Sequence, residues 1–63
     1  GGGAILVGAN GAVLYRADAA SPFTASTFET AAGDTPVLSG AVPLDDGRFL
    51  LIGDKGVDIY QPR

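Results

Sequence analysis

The sequence predicts an all-β protein built from short antiparallel strands. Three observations favour this fold class. The apolar runs are at most four residues long, as at residues 4–7 and 49–52, which suits a strand better than a helix. Turn-forming pairs such as Asn10-Gly11 and Asp46-Gly47 separate these runs. The two halves of the chain also share one pattern of apolar and glycine positions, as repeated units do.

The composition predicts a folded chain without the disulfides or metal sites that stabilise many small proteins. Of its 63 residues, 46% are hydrophobic and 17% are charged, a balance too apolar for intrinsic disorder. Ordering a chain costs roughly 1.5 kcal/mol per residue, which so short a sequence seldom offsets alone. The absence of cysteine and histidine excludes disulfides and the common zinc and iron–sulfur sites. We therefore expect no metal, no cofactor and a need for a partner surface.

The charge pattern indicates that neither nucleic acid nor a membrane is a partner. The net charge is −3, and the four cations are spread over Arg16, Arg48, Lys55 and Arg63. Such spacing leaves no basic stripe to neutralise phosphates. No apolar run approaches the ~20 residues that a membrane helix requires. The chain begins with three glycines instead of methionine, which predicts a piece cut from a longer chain.

The first half predicts three strands. Residues 4–7 form an apolar strand that we expect to be buried on both faces. Asn10-Gly11 predicts a two-residue type I′ turn, because both residues tolerate positive φ. The chain returns as a strand at residues 12–15, and a connection ending at Pro22 leads to residues 23–30. The polar character of this third segment predicts an outer strand half open to water.

The second half predicts three more strands. Residues 37–42 form a small-residue strand broken at Pro43. Asp46-Gly47 predicts another type I′ turn, which leads into residues 48–52. A turn at residues 53–56 then delivers the last strand, residues 57–61.

One offset of 45 residues relates the two halves. It pairs identical residues at four positions, Leu6 with Leu51, Gly8 with Gly53, Gly11 with Gly56 and Tyr15 with Tyr60. The offset also pairs Val13 with Asp58, and a position that accepts either residue is expected to face water. The repeat therefore predicts positive φ at Gly11 and Gly56, and it predicts that Val13→Asp is mild.

A period of this length, made of short strands and tight turns, is typical of the blades of a β-propeller. Residues 1–33 would supply strands two to four of one blade, and residues 34–63 strands one to three of the next. The chain then amounts to about one and two-fifths four-stranded blades. Apolar blade faces would be covered by the remainder of the same chain or by further copies that complete the ring.

Two segments carry a resemblance to a known repeat. Residues 6–14 and 51–59 both place hydrophobic residues before and after the order Gly-x-x-Gly. This order resembles the BNR or Asp-box propeller repeat, and especially the photosystem II stability/assembly-factor-like repeats of bacteria. The resemblance implies a non-catalytic scaffold that binds a protein or glycan partner. It also favours a location outside the cytoplasm, either periplasmic or secreted.

The second element of that repeat, the Asp-box turn, is degenerate here. Asp18 and Phe23 stand where the family has its aspartate and aromatic residue. Ala19 and Ala20 replace the glycines, and Arg16 replaces the serine. We therefore expect Asp18 to accept backbone N–H bonds within its own turn.

Two enzymatic alternatives remain open. The Asp-box propellers include sialidases, so the chain could be a fragment of a propeller glycosidase. That chemistry uses a tyrosine nucleophile, but Tyr15 and Tyr60 occupy equivalent positions, which favours packing. Residues 4–11 also resemble the glycine turn of a dinucleotide site, with residues 12–20 as a helix. Leu14 stands where the third glycine of that motif belongs.

No residue is assigned a catalytic, cofactor-binding or metal-binding role. Asp45-Asp46 and the pair Asp54 and Asp58 carry oxygens that calcium could use, but neither pair fits a calcium-binding loop. Aspartate beside glycine is ordinary turn chemistry. Without histidine, the usual general base of nucleophilic catalysis is also missing. We expect a non-enzymatic protein.

Overall fold

The computed structural model describes residues 2–62 and has an all-β fold, as the sequence predicts. Six strands form two three-stranded antiparallel sheets. Their bounds are β1 (Ala4–Val7), β2 (Ala12–Arg16), β3 (Thr24–Thr27), β4 (Leu38–Pro43), β5 (Phe49–Gly53) and β6 (Gly56–Tyr60). The first sheet has the order β1-β2-β3 and the second the order β4-β5-β6. Gly1, at the predicted cut end, and Arg63 lie outside the described residues.

The core lies between the two sheets, where their inner faces meet. Val13 and Leu51 are each 1% exposed, and Leu38 is 5% exposed. Six half-buried side chains surround these three: Ile5, Val7, Phe28, Ala41, Phe49 and Tyr60. Because side chains alternate along a strand, the neighbours of the core residues point to the outer faces. Among the described residues, the buried aliphatic side chains Val13, Leu38 and Leu51 make a small core for two sheets.

Backbone hydrogen bonds attach the segment before β4 to the turn between β1 and β2. The amide of Gly11 donates to the Pro36 carbonyl at 2.7 Å, and the amide of Leu38 donates to the Gly8 carbonyl at 3.0 Å. Gly11 also accepts a bond of 2.7 Å from the amide of Phe28. Gly11 and Pro36 are both buried. The bonds of Pro36 and Leu38 join the two sheets directly, at the point where the chain crosses from one to the other.

The first hairpin turn differs from the predicted two-residue turn. It contains three residues, Ala9–Gly11, and the Gly8 amide closes it by donating to the Ala12 carbonyl at 3.1 Å. Asn10 and Gly11 do have positive φ, 58° and 70°, as their identities predict. The Ala12 amide donates to the Ala9 carbonyl around these two residues, as in the predicted type I′ turn, and Ala9 adds a third residue to the connection.

The turn predicted at Asp46-Gly47, in contrast, is not type I′. Gly47 has a φ of 85°, but Asp46 is not left-handed, and type I′ requires both. The Leu44 amide donates to the Arg48 carbonyl at 2.8 Å across a three-residue loop. Glycine in the left-handed third position of such a loop is common.

The hairpin of β5 and β6 is one residue longer than the hairpin of β1 and β2 when equivalent strand pairs are compared. Val7 pairs with Val13 in the hairpin of β1 and β2, and Leu51 pairs with Asp58 in the hairpin of β5 and β6. The second strands are therefore related by the predicted offset of 45, whereas the first strands are related by 44. A shift of one residue exchanges the two faces of a strand. Leu6 is accordingly 57% exposed, although its predicted counterpart Leu51 is buried.

The expectation that Val13 faces water is wrong. Val13 and Asp58 are indeed equivalent, but both lie on inner faces, where Val13 is buried and Asp58 is half-buried. The expected burial of β1 on both faces is also wrong, because Leu6 points outward.

The remaining strand predictions differ from the structure mainly at their ends. Strand β3 is shorter than predicted, and its four residues are all exposed, as expected of an outer strand. Pro43 ends β4 and pairs with Phe49. The helix that the dinucleotide alternative places at residues 12–20 is absent, since residues 12–16 are strand. No helix within residues 2–62 is long and apolar enough to cross a membrane.

Val13→Asp is now expected to be severe. It places a carboxylate at a site that is 1% exposed, which costs roughly 3 kcal/mol or more of folding free energy. Val57→Asp is the matched control, because Val57 is 60% exposed and should lose no more than about 1 kcal/mol. Urea unfolding followed by circular dichroism compares the two. Equal losses would contradict the placement of Val13 in the core.

Gly11 and Gly56, which both have positive φ, should differ in their tolerance of alanine. A Cβ at Gly56 would contact no other atom. Its only cost is the backbone strain of an alanine at a φ of 106°, about 1–2 kcal/mol of folding free energy. A Cβ at Gly11 would in addition collide with the carbonyl oxygen of Phe28. We expect Gly11→Ala to lose at least ~1 kcal/mol more than Gly56→Ala in the same unfolding assay. The reverse order would show that the turn at Gly11 relaxes freely.

Candidate functional site

A groove of about 290 Å³ lies between the free edges of the two sheets, where β3 faces β6. Its lining consists of Tyr15, Thr24, Ser26, Thr27, Tyr60 and Gln61. None of these side chains is a carboxylate or a cation. The groove therefore offers hydroxyl and amide groups that exchange hydrogen bonds with neutral partners, and two aromatic rings.

Aromatic contacts hold the two tyrosines of the groove in place. The Tyr15 ring packs edge-on against Phe49 at 5.7 Å between centroids, and the Tyr60 ring packs against Phe28 at 6.3 Å. The Tyr60 hydroxyl also lies 2.9 Å from Oγ of Ser26. Both tyrosines thus have the packing role that their equivalence predicts. The hydroxyl contact with Ser26 additionally connects β6 to β3.

Asp54 forms two hydrogen bonds with the same residue. Its Oδ1 accepts a bond of 2.9 Å from the amide of Val37, and its own amide donates to the Val37 carbonyl at 3.1 Å. Asp54 lies in the turn between β5 and β6, so these bonds attach the segment before β4 to a second turn. The carboxylate therefore has a structural task, in agreement with the turn chemistry that the sequence indicates.

Asp58 lies apart from that turn, on the inner face of the second sheet opposite Leu51. It is half-buried, and within residues 2–62 its carboxylate has no hydrogen-bond or ion-pair partner. No group of three or more acidic residues in that range could hold a metal ion. The two members of the candidate calcium pair, Asp54 and Asp58, thus have separate surroundings.

Asp46 serves the turn between β4 and β5. Its Oδ1 accepts the backbone amide of Arg48 at 3.2 Å, and its Oδ2 pairs with Nε of Arg48 at 2.7 Å. The backbone bond from Arg48 is the main cause that lowers the pKa of Asp46 below its ordinary value, and the guanidinium adds to it. The stabilising bond is complete above that ordinary value and is lost as the pH falls through the lowered pKa. The pair is exposed, so its contribution is small.

Asp18 plays the part expected of it. Its Oδ1 accepts bonds from the Ala20 amide at 3.0 Å and from the Ser21 hydroxyl at 2.9 Å. Beside this turn, the Arg16 guanidinium lies 5.0 Å from the centre of the Phe23 ring. These contacts order the connection from β2 to β3.

Sequence reasoning identified Tyr15 and Tyr60 but missed the rest of the groove. Thr24 and Ser26 were recognised only as parts of a polar strand. Because Ser26 and Tyr60 are 34 positions apart, their contact depends on how the two sheets face each other. Comparison of the chain with protein-family models, with curated proteins and with solved structures finds no match.

Removal of the Asp54 carboxylate should weaken the attachment of the segment before β4 to the turn between β5 and β6. Asp54→Ala leaves the Val37 amide without its acceptor, and we expect a loss of about 1 kcal/mol. Asp54→Asn retains an acceptor oxygen and should lose less. Asp45→Ala is the control, because Asp45 is an exposed turn residue. Urea unfolding of the three variants tests the order, and an Asp54→Ala chain as stable as the Asp45→Ala chain would contradict it.

Proposed function

We propose that the two sheets are parts of neighbouring β-propeller blades and that the chain serves as a non-enzymatic scaffold for a protein or glycan partner. The observation that carries the proposal is the apolar character of both outer faces. The inner faces already pack against each other in this chain, as the faces of adjacent blades do. The outer faces offer similar surfaces with no cover among residues 2–62.

The outer face of the second sheet is the broader of the two. Val42, Leu50 and Ile59 form one row across its three strands, because they are paired in register. Ile52 and Val57 form the next row. Four of these side chains are between 38% and 60% exposed, namely Val42, Ile52, Val57 and Ile59. Contiguous exposed apolar surface of this kind marks an interaction site.

The outer face of the first sheet is narrower. Leu6 and Leu14 lie directly opposite each other and are 57% and 39% exposed. Ala25 of β3 extends this row. Strand β3 is otherwise polar, with threonine and serine at its other positions. The apolar surface is therefore concentrated on β1 and β2, away from the exposed edge.

Another sheet of the same kind is the cover that best fits these faces. The aliphatic residues on the outer faces resemble the valine and leucine that meet in the core. A sheet lays a flat, alternating apolar face on another sheet about 10 Å away. The scaffold role is supported by the groove, whose lining has no carboxylate or cation to act as an acid–base pair.

Association of the 63-residue chain tests this proposal. We expect light scattering after size-exclusion chromatography to show assemblies larger than the monomer as concentration rises. Ile59→Lys should shift them toward the monomer, because it places a charge in the middle of the second outer face. Val37→Lys is the control, since Val37 is also exposed, at 51%, but lies outside the strands. A β-rich monomer at every concentration would overturn the proposal.

A further inference from the structure

Strand β6 has a sheet partner on one side only. It pairs with β5 and lies at the edge of the second sheet. Its equivalent in the first sheet, β2, lies in the middle, with β1 on one side and β3 on the other. In the first sheet, the strand that pairs with the corresponding edge of β2 is β3, a short segment of threonine, alanine and serine.

We propose that the free edge of β6 binds an extended polar segment similar to β3, as an added antiparallel strand with a serine or threonine hydroxyl opposite Asp58. The proposal rests on the proposed function in one respect, the equivalence of the two hairpins. It does not require a closed ring.

The pairing of β3 with β2 gives the register. Val13 pairs with Ser26, and Tyr15 pairs with Thr24. Val13 and Tyr15 correspond to Asp58 and Tyr60 at the offset of 45 that relates β2 to β6. The added strand would therefore place the counterpart of Ser26 opposite Asp58.

Asp58 selects between possible strands. Its half-buried carboxylate lies on the inner face, where a hydroxyl on the adjacent strand could donate a hydrogen bond to it. A second copy of β6 centred on this position would instead bring two carboxylates face to face, which is unfavourable. An inward-pointing charge on an edge strand prevents that strand from pairing with the same strand of another copy. Asp58 thus favours a hydroxyl-bearing segment over self-association.

The groove provides space for the added strand. It opens between β3 and the edge of β6, and its walls include Thr24 and Ser26 on one side and Tyr60 and Gln61 on the other. Inner-face side chains of a strand bound to β6 would enter this space. Because hydroxyl and amide groups line part of it, serine and threonine side chains can form hydrogen bonds there.

A chain extended by its own β3 sequence tests the proposal. A copy of residues 19–30 is appended after Arg63, which reproduces the spacing between β2 and β3. We expect the urea midpoint to rise by about 1 M and the β6 amides to exchange their hydrogens about tenfold more slowly. The matched control has the same extension with proline in place of the appended copy of Ala25, because proline disrupts strand pairing.

Two further variants test the role of Asp58. Aspartate in place of the appended copy of Ser26 should abolish the gain, and Asp58→Asn should restore it. If the aspartate extension stabilises as well as the serine extension, the selection by Asp58 is wrong. If the proline extension stabilises as well as the native copy, strand addition is wrong. Because edge pairing is measured within one chain, a chain that fails to associate through its outer faces leaves this result intact.

Discussion

The fold depends on the backbone of residues 36–38, which is hydrogen-bonded to two separate turns. Gly8 and Gly11, in the turn between β1 and β2, bond to Pro36 and Leu38, and Asp54, in the turn between β5 and β6, bonds to Val37. With so few buried side chains between the sheets, burial alone leaves their relative position weakly determined. The hydrogen bonds supply what the small core lacks, because each satisfies a backbone group and joins segments far apart in sequence.

This attachment explains why the turns are less exchangeable than their sequences suggest. Gly11 is buried, and its amide and carbonyl both bond to other segments. Gly56 shares its positive φ, yet nothing lies within 4 Å of the place where its Cβ would be. Glycines at equivalent positions of the repeated sequence therefore have different structural roles. The first allows a close crossing of the chain, whereas the second only permits a change of direction.

Much of the fold could be predicted from the sequence, but which side chains of β1 point to the core could not. Short apolar runs and turn residues located all six strands, and the polar composition of residues 24–27 marked the outer one. The offset of 45 misassigned Leu6, because five residues separate the paired Val7 and Val13 whereas six separate the paired Leu51 and Asp58, which shifts β1 by one position. Loop length is set by local backbone geometry, and Ala9 gives no sign that it belongs to the turn. The groove was even harder to predict, since the contact of Ser26 with Tyr60 depends on how the two sheets pack against each other.

The two outer faces differ in breadth, and that difference has a consequence for symmetry. If copies stack by placing the broad face of one on the narrow face of the next, the contact is head-to-tail rather than two-fold. Repetition of such a contact has a direction and leaves an unlike face at each end. A closed ring forms only when the rotations between successive copies add up to a full turn. When the rotation does not divide a full turn, the same contact continues into a fibre.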